Sequence, residues 1–209
     1  MRDLSRLGAT TYPAAEAPES VLVLAHGAGA GQKHPFMTAT ARGLAARGVD
    51  VVTFDFPYVA RGRRVPDRAP VLEQSFHQVL ACARTWSRAG RLFIGGKSMG
   101  GRMATHLGAQ RPEGLEGIVV LGYPLHPPGK PDQLRVAHLP EITARVLIVQ
   151  GERDPFGTPA ELEAVMPTMR AQVTLHVVEG GDHSLAVKGQ RGGGVHEAVL
   201  DVISRWIGQ

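Results

Sequence analysis

Three residues that are far apart in the chain have settings that suit nucleophilic catalysis. The first, Ser98, lies in the run GGKSMGG, which contains the G-x-S-x-G pattern and directly follows a short apolar run. Glycines around a serine allow a tight turn from a strand into a helix, and the free N–H groups of that helix favour a developing oxyanion. The pattern predicts a nucleophile elbow, although an ordinary glycine-rich loop ahead of a helix would have a similar sequence.

A serine nucleophile needs a base, and the base needs an acid to orient it. Asp154, in the segment GERDPFG, and His183, in the segment EGGDHS, each follow an apolar run. They come after Ser98 in the order serine, acid, histidine that this architecture uses. We therefore predict Asp154 as the acid and His183 as the base. Glu152 and Asp182 are alternative carboxylates in the same two segments, and Asp182 is better suited to capping the turn.

Small residues after the first apolar run predict where an oxyanion would be bound. The segment AHGAGAG contains Gly27 and Ala28, and small side chains let its backbone approach the nucleophile. We predict that the N–H groups of Ala28 and Met99 form the oxyanion hole and that Gly27 contacts the substrate.

The proline-rich segment Tyr123–Ile142 is the longest stretch without clear periodicity. We expect Tyr123, Leu125 and His126 to form one wall of the substrate site. A short helix at Pro131–Ala137 is an option within a segment that is too short to fold as a separate lid.

The elements that must position these residues alternate between apolar runs and helical patterns. Such runs are typical of strands buried on both faces of a parallel sheet, and six are present: Val21–Ala25, Val51–Phe56, Leu92–Gly95, Ile118–Leu121, Val146–Gln150 and Val173–Val178. The alternation predicts a single α/β domain over residues 1–209, a minimal doubly wound sheet of about six or seven mostly parallel strands without a cap domain. Residues 1–20 form an N-terminal segment with room for a short edge strand.

The motifs HGAGAG, GGKSMGGR, GERDPFG and GGDHSL, in this order, resemble the α/β-hydrolase family, and within it the small lidless group related to dienelactone hydrolases. One branch of that group contains an animal testis-expressed protein and a subunit of a chromatin acetyltransferase complex. The resemblance covers about Val21 to Ile207, and it implies Ser98 as nucleophile, Asp154 as acid and His183 as base. Dienelactone hydrolase has Cys where this chain has Ser98, so its substrate is not carried over. The N-terminal strands of larger hydrolases are mostly missing.

Composition excludes several other classes of protein. No stretch without Asp, Glu, Lys or Arg is longer than Gly117–Gly129, which is too short for a membrane span of about 20 residues. One cysteine, Cys82, excludes an internal disulfide and a cysteine-based zinc site. The first twenty residues lack the apolar core of a signal peptide, so we expect a cytoplasmic protein. The arginine-rich segment Arg61–Arg68 lacks interleaved aromatic residues, which argues for a solvated loop or an anion subsite rather than nucleic-acid binding.

The residues together predict a serine hydrolase that acts on a carboxylic ester or thioester of small or medium size. The expected partner is that small molecule, without metal, organic cofactor, nucleic acid or membrane, and the protein is expected to be a monomer or homodimer. A dinucleotide site is disfavoured because Gly27, Gly29 and Gly31 form G-x-G-x-G rather than G-x-G-x-x-G. The alternative from another class is a catalytically silent interaction module with this fold.

Overall fold

Seven strands form one sheet in the order β1-β3-β2-β4-β5-β6-β7 in the computed structural model, which describes residues 3–190 and 193–209. Neighbouring strands are parallel, except that β1 runs antiparallel to β3 at one edge. The strands are β1 Thr10–Tyr12, β2 Ser20–Ala25, β3 Val49–Phe54, β4 Arg91–Lys97, β5 Leu115–Leu121, β6 Arg145–Gly151 and β7 Val173–Val178.

The central strands are apolar throughout because both of their faces are covered. In β2, Val21 and Val23 pack into the core on one face of the sheet, and Leu22 and Leu24 pack into the core on the other. This two-residue alternation between two buried faces is the reason why the strand sequence shows no polar alternation.

Helices cover both faces. They are α1 Pro35–Ala45, α2 Pro57–Ala60, α3 Ala69–Trp86, α4 Met99–Ala109, α5 Pro159–Val165 and α6 Gly194–Ile207. Buried residues of α3, α4 and α5 belong to the first core, and those of α1 and α6 belong to the second. Helix α5 begins with the capping box formed by Thr158 and Glu161. None of the helices within residues 3–190 and 193–209 has the length and apolar character needed to cross a membrane.

The predicted fold class is confirmed, and the six apolar runs correspond to β2 through β7. The run expected at Val51–Phe56 begins and ends two residues earlier, as Val49–Phe54. Phe56 is fully buried although it lies outside the strand, because it directly precedes α2 and its ring packs against those of Phe54 and Phe76. The apolar pattern alone therefore predicted a strand end two residues beyond the observed end at Phe54.

The segment between β5 and β6 contains no cap domain. The helix suggested at Pro131–Ala137 is absent, and the segment has only one turn of 3-10 helix, at Leu139–Glu141. The carbonyl of Arg135 accepts a hydrogen bond from Tyr123 Oη at 2.6 Å, and the Arg135 N–H donates to the carbonyl of Leu125 at 2.8 Å. These bonds use backbone groups that a helix would have needed.

Candidate active site

Ser98 lies on a strained turn between β4 and α4. Its φ of 51° and ψ of −115° are a conformation that residues with a Cβ rarely adopt. The turn is held by the Ser98 N–H, which donates to the carbonyl of Leu121 at 2.9 Å. A Cβ at Gly96 would lie 2.6 Å from the Ala25 carbonyl oxygen, and one at Gly100 would lie 2.6 Å from that of His26. The two glycines thus allow α4 to start directly against the end of β2.

A chain of hydrogen bonds joins Ser98, His183 and Asp154, which come from three different segments. His183 Nε2 lies 2.8 Å from Ser98 Oγ, and His183 Nδ1 lies 2.7 Å from Asp154 Oδ2. A carboxylate can only accept, so Nδ1 carries the proton and Nε2 is free to accept the serine hydroxyl proton. The arrangement is that of a nucleophile, a base and an orienting acid.

Asp154 is almost completely buried, and its two oxygens have further donors. Oδ1 accepts from the Phe156 N–H at 2.8 Å, and Oδ2 accepts from Gln150 Nε2 at 2.8 Å. Gln150 also donates to the carbonyl of Gly157 at 2.7 Å and accepts from the Tyr123 N–H at 2.7 Å. Gln150 was not singled out in the sequence, although a polar residue within a buried apolar strand could have indicated a role at the site.

The two alternative carboxylates hold the loop around His183 and do not contact its imidazole. Glu152 Oε2 accepts from the Gly180 N–H at 2.7 Å. Asp182 Oδ1 accepts from the N–H groups of Ser184 at 2.8 Å and Ala186 at 3.0 Å, as a turn-capping aspartate does.

A cavity of about 330 Å³ opens beside Ser98. It is lined by Gly27, Ala28, Ala30, His34, Phe36, Met37, Lys97, Ser98, Phe156, His183 and Ser184. The ring of Phe156 lies over the His183 imidazole, with centroids 4.2 Å apart and an angle of 31° between the planes. Most of the wall is apolar or backbone, which suits a small acyl group held close to the serine.

Residues expected to bind an oxyanion lie at the cavity or next to it. Gly27 and Ala28 line the cavity, and a Cβ at Gly27 would lie 3.6 Å from Ser98 Cβ. Met99 is the first residue of α4, where a backbone N–H has no partner within the helix. His26 braces the loop, because its Nδ1 donates to the Gly27 carbonyl at 2.8 Å and its Nε2 accepts from the Phe56 N–H at 3.1 Å. Burial lowers the pKa of His26, so this brace is a neutral imidazole.

The structure does not place the expected wall of Tyr123, Leu125 and His126 at the cavity beside Ser98. All three side chains are buried behind the loop that carries Asp154, and none of them lines the cavity beside Ser98. Leu125 packs against Gly157, where an added Cβ would lie 2.7 Å from the Leu125 Cβ. His126 Nε2 lies 3.2 Å from Glu161 Oε1 at the start of α5. These residues are buried because the chain after β5 turns back over the α4 face instead of extending past the nucleophile.

Lys97 is a residue of the site that the sequence analysis missed. It lines the cavity, and its ammonium donates to the backbone carbonyl of His183. Burial lowers the pKa of Lys97 to about 8, although the carboxylates of Asp154 and Asp182 act in the opposite direction. Its position directly before the nucleophile was the only available signal. The arginine-rich segment Arg61–Arg68, by contrast, contributes nothing to the cavity wall.

The side chains of this site favour acid–base and nucleophilic chemistry. Among the residues that the structure describes, no three His, Cys, Asp or Glu side chains are grouped so that they could hold a metal ion.

Comparison with known proteins identifies the family. Residues 18–208 match the model of the alpha/beta hydrolase domain. The chain belongs to this family. Among solved structures, it is similar to dienelactone hydrolase from Anabaena variabilis, at 20% identity and a TM-score of 0.74, over 95% of this chain and 89% of that one. It is also similar to XC6422 from Xanthomonas campestris, described as an α/β serine hydrolase without lid, at 17% identity and a TM-score of 0.75, over 95% and 88% of the two chains.

A third similar structure is Est1E from Butyrivibrio proteoclasticus, at 15% identity and a TM-score of 0.75, over 96% of this chain and 94% of that one. The predicted membership of the α/β-hydrolase family is thus confirmed, and the fold is similar to that of a dienelactone hydrolase and of a serine hydrolase without a lid. At identities of 15 to 20%, the similarity to these solved structures shows the fold alone.

Proposed function

We propose that this protein is a serine hydrolase that cleaves a small or medium carboxylic ester or thioester through an acyl-enzyme on Ser98. The observation that carries the proposal is the hydrogen-bonded chain of Ser98 Oγ, His183 and Asp154, with links of 2.8 and 2.7 Å, at the edge of a cavity. Membership of the α/β-hydrolase family supports it, as does the presence of a structure described as a serine hydrolase among the similar structures.

The first half of the reaction forms the acyl-enzyme. Ser98 Oγ attacks the substrate carbonyl while His183 Nε2 takes the hydroxyl proton, and Asp154 stabilises the imidazolium that results. The negative oxygen of the tetrahedral intermediate accepts hydrogen bonds from the N–H groups of Ala28 and Met99. The intermediate then collapses, His183 gives its proton to the leaving alcohol or thiol, and the acyl group stays on Ser98.

The second half hydrolyses the acyl-enzyme. A water molecule loses a proton to His183 Nε2 as its oxygen attacks the acyl carbonyl. The second tetrahedral intermediate expels Ser98 Oγ, which takes the proton back from His183, and the carboxylic acid leaves the cavity. The original serine proton leaves on the alcohol or thiol, and a proton from water replaces it on Ser98. The enzyme is thus regenerated, and none of these steps changes an oxidation state.

The nature of the cavity limits the acyl group. Phe36, Met37 and Phe156 enclose a volume of about 330 Å³ beside Ser98 and offer apolar contacts. Within residues 3–190 and 193–209, no cap domain lies above this cavity that would enclose a long lipid chain. We therefore propose acyl groups of a few carbons, with the leaving group extending towards solvent.

A fluorophosphonate probe tests whether Ser98 is an activated nucleophile. We expect the probe to label the wild-type protein and to leave Ser98→Ala unlabelled, because it reacts with serines whose hydroxyl proton is withdrawn by a base. Ser184→Ala is the matched control, since Ser184 lines the same cavity. Labelling is read by intact-protein mass spectrometry. Absence of labelling in the wild type would favour the silent interaction module, and equal labelling of Ser98→Ala would contradict the assignment of the nucleophile.

A further inference from the structure

Lys97 connects the strand that carries the nucleophile to the loop that carries the base. It is the last residue of β4, and its ammonium donates to the backbone carbonyl of His183, after β7. In the sheet order, β5 and β6 lie between these two strands. A side chain therefore crosses the carboxyl edge of the sheet and contacts the residue that hydrogen-bonds to Ser98.

Gly122 provides the space in which this contact forms. It follows β5 with a φ of 70°, a conformation that suits glycine. A Cβ at this position would lie 2.8 Å from Lys97 Nζ, 3.1 Å from the His183 carbonyl oxygen and 3.4 Å from His183 Nδ1. The ammonium, the carbonyl and the imidazole thus meet around one point, and the backbone conformation there excludes ordinary side chains.

The charge of Lys97 is only partly compensated by the groups around it. The facing carboxylates are Asp154 on the loop after β6 and Asp182 on the loop after β7. Neither of them lies within ion-pair distance of the Lys97 ammonium in the described part of the chain. The nearest aromatic ring is that of Phe36, whose centroid lies 6.0 Å from Nζ. A positive charge thus remains next to the imidazole of His183.

A cation beside an imidazole disfavours its protonation. Only the neutral imidazole can accept the proton of a serine hydroxyl, so this charge extends the working range of the base to lower pH. The hydrogen bond to the carbonyl has a second effect, because it fixes the backbone of His183 relative to the strand that carries Ser98. Small displacements of a base cost a large part of its catalytic effect.

We propose that Lys97 is a positioning residue of the hydrolase site: it anchors the backbone of His183 to β4 and holds a positive charge beside the imidazole. The kinetic part of this proposal rests on the proposed function. The structural part concerns the state of His183 and does not depend on turnover.

The kinetic test compares Lys97→Met with Lys97→Arg. Methionine has a similar length but lacks the donor and the charge, whereas arginine keeps both. For Lys97→Met we expect kcat to fall about tenfold with KM changed less than about twofold, and the acidic limb of kcat/KM to move about one unit to higher pH. For Lys97→Arg we expect the acidic limb to stay in place. Lys130→Met, at an exposed position, is the control and should match the wild type.

Two kinetic outcomes would overturn the proposal. One is a Lys97→Met protein whose activity falls by the same factor at every pH, because a purely structural lysine would act in this way. The other is a Lys97→Met protein with the kcat and pH profile of the wild type.

Histidine NMR gives a readout that needs no substrate. In protein with isotope-labelled histidine, the His183 signal is assigned by its loss in His183→Gln and followed from pH 4 to 9. We expect its titration midpoint to be higher in Lys97→Met than in the wild type and unchanged in Lys130→Met. An unchanged midpoint in Lys97→Met overturns the proposal. A shifted midpoint in a protein that neither reacts with the fluorophosphonate nor hydrolyses esters supports the role of Lys97 and rejects the proposed function.

Discussion

At the scale of single residues, the Asp154 carboxylate is held by three donors at once. They are His183 Nδ1, Gln150 Nε2 and the Phe156 N–H, at 2.7 to 2.8 Å. Three hydrogen bonds to one buried carboxylate fix its orientation. The acid therefore presents one defined lone pair to the imidazole, and this in turn determines which ring nitrogen faces Ser98.

Replacement of Asp154 by asparagine tests this residue. An amide can donate to His183 Nδ1, and we expect the other tautomer to become populated, with Nε2 protonated and unable to act as base. Turnover of a p-nitrophenyl ester should fall by about 10³–10⁴ while the fold, followed by circular dichroism, is preserved. Glu152→Gln and Asp182→Asn serve as controls and should change kcat by about tenfold or less. Strong loss in either control, with Asp154→Asn nearly intact, would mean that another carboxylate orients the base.

At the scale of elements, the close approach of α4 to the ends of β4 and β2 creates the strained serine. Helix α4 starts immediately after β4, so the chain reverses within one residue, Ser98. Gly96 and Gly100 make room for this reversal. A Cβ at either position would overlap backbone atoms, which cannot move aside. The geometry of Ser98 is therefore a consequence of how a helix packs on a strand.

Gly100→Ala tests the contact between these elements. The new Cβ would overlap the backbone carbonyls of β2 and the following residue, so we expect a loss of about 1–3 kcal/mol in the free energy of unfolding. Helix propensity alone would act in the opposite direction. Labelling of Ser98 by the fluorophosphonate should fall as well.

Gly90→Ala provides the control for this substitution. No atom lies within 4 Å of an added Cβ at Gly90, and its stability, measured by urea unfolding, should match the wild type. A Gly100→Ala protein with wild-type stability and labelling would show that α4 can retreat without disturbing the serine.

At the scale of the whole molecule, burial of histidines makes stability depend on pH. Burial is the largest cause of a lowered pKa for five histidines within the described ranges, namely His26, His106, His138, His176 and His196. For His138 the pKa falls to about 3 from an ordinary value of 6.5, with His106 and Arg102 acting in the same direction as burial. These side chains are neutral in the folded protein over a range in which they are protonated in the unfolded chain.

We therefore expect the free energy of unfolding to decrease as the pH falls below about 6.5. Below about pH 6.5 the unfolded chain binds protons at these histidines that the folded protein does not bind, so a fall in pH favours unfolding. Urea unfolding at pH 7.5, 6.5, 5.5 and 5.0 measures the effect above the range in which most carboxylates titrate. His138→Gln should reduce the dependence of the unfolding free energy on pH, because it removes one of these titrating groups. Glutamine can still hydrogen-bond to Thr105 Oγ1, which lies 2.9 Å from His138 Nε2. Equal stability at pH 7.5 and 5.0 would contradict the prediction.

We also propose that residues 1–209 form one domain, for which each of these urea unfolding curves should show a single transition.

The sequence by itself determined the local features of this protein. These features can be read from short segments of the chain and from their order. They are the glycines around Ser98, the apolar runs of β2 to β7, and the order of Ser98, Asp154 and His183. They predicted the α/β class and the residues that carry the proposed chemistry. The ends of the strands could not be predicted to the residue, as Phe56 shows, because an apolar residue can be buried outside a strand as well as within one.

Only the tertiary structure decided which distant side chains meet. Lys97 donates to the carbonyl of His183, and Gln150 accepts from the Tyr123 N–H, because the sheet order brings the ends of β4 to β7 to one edge and Gly122 leaves a gap there. For the same reason Tyr123 lies behind the acid loop and not along the substrate cavity. No periodicity or spacing encodes such contacts, since they depend on the direction in which each loop leaves the sheet and on which side chains then fill the space between loops.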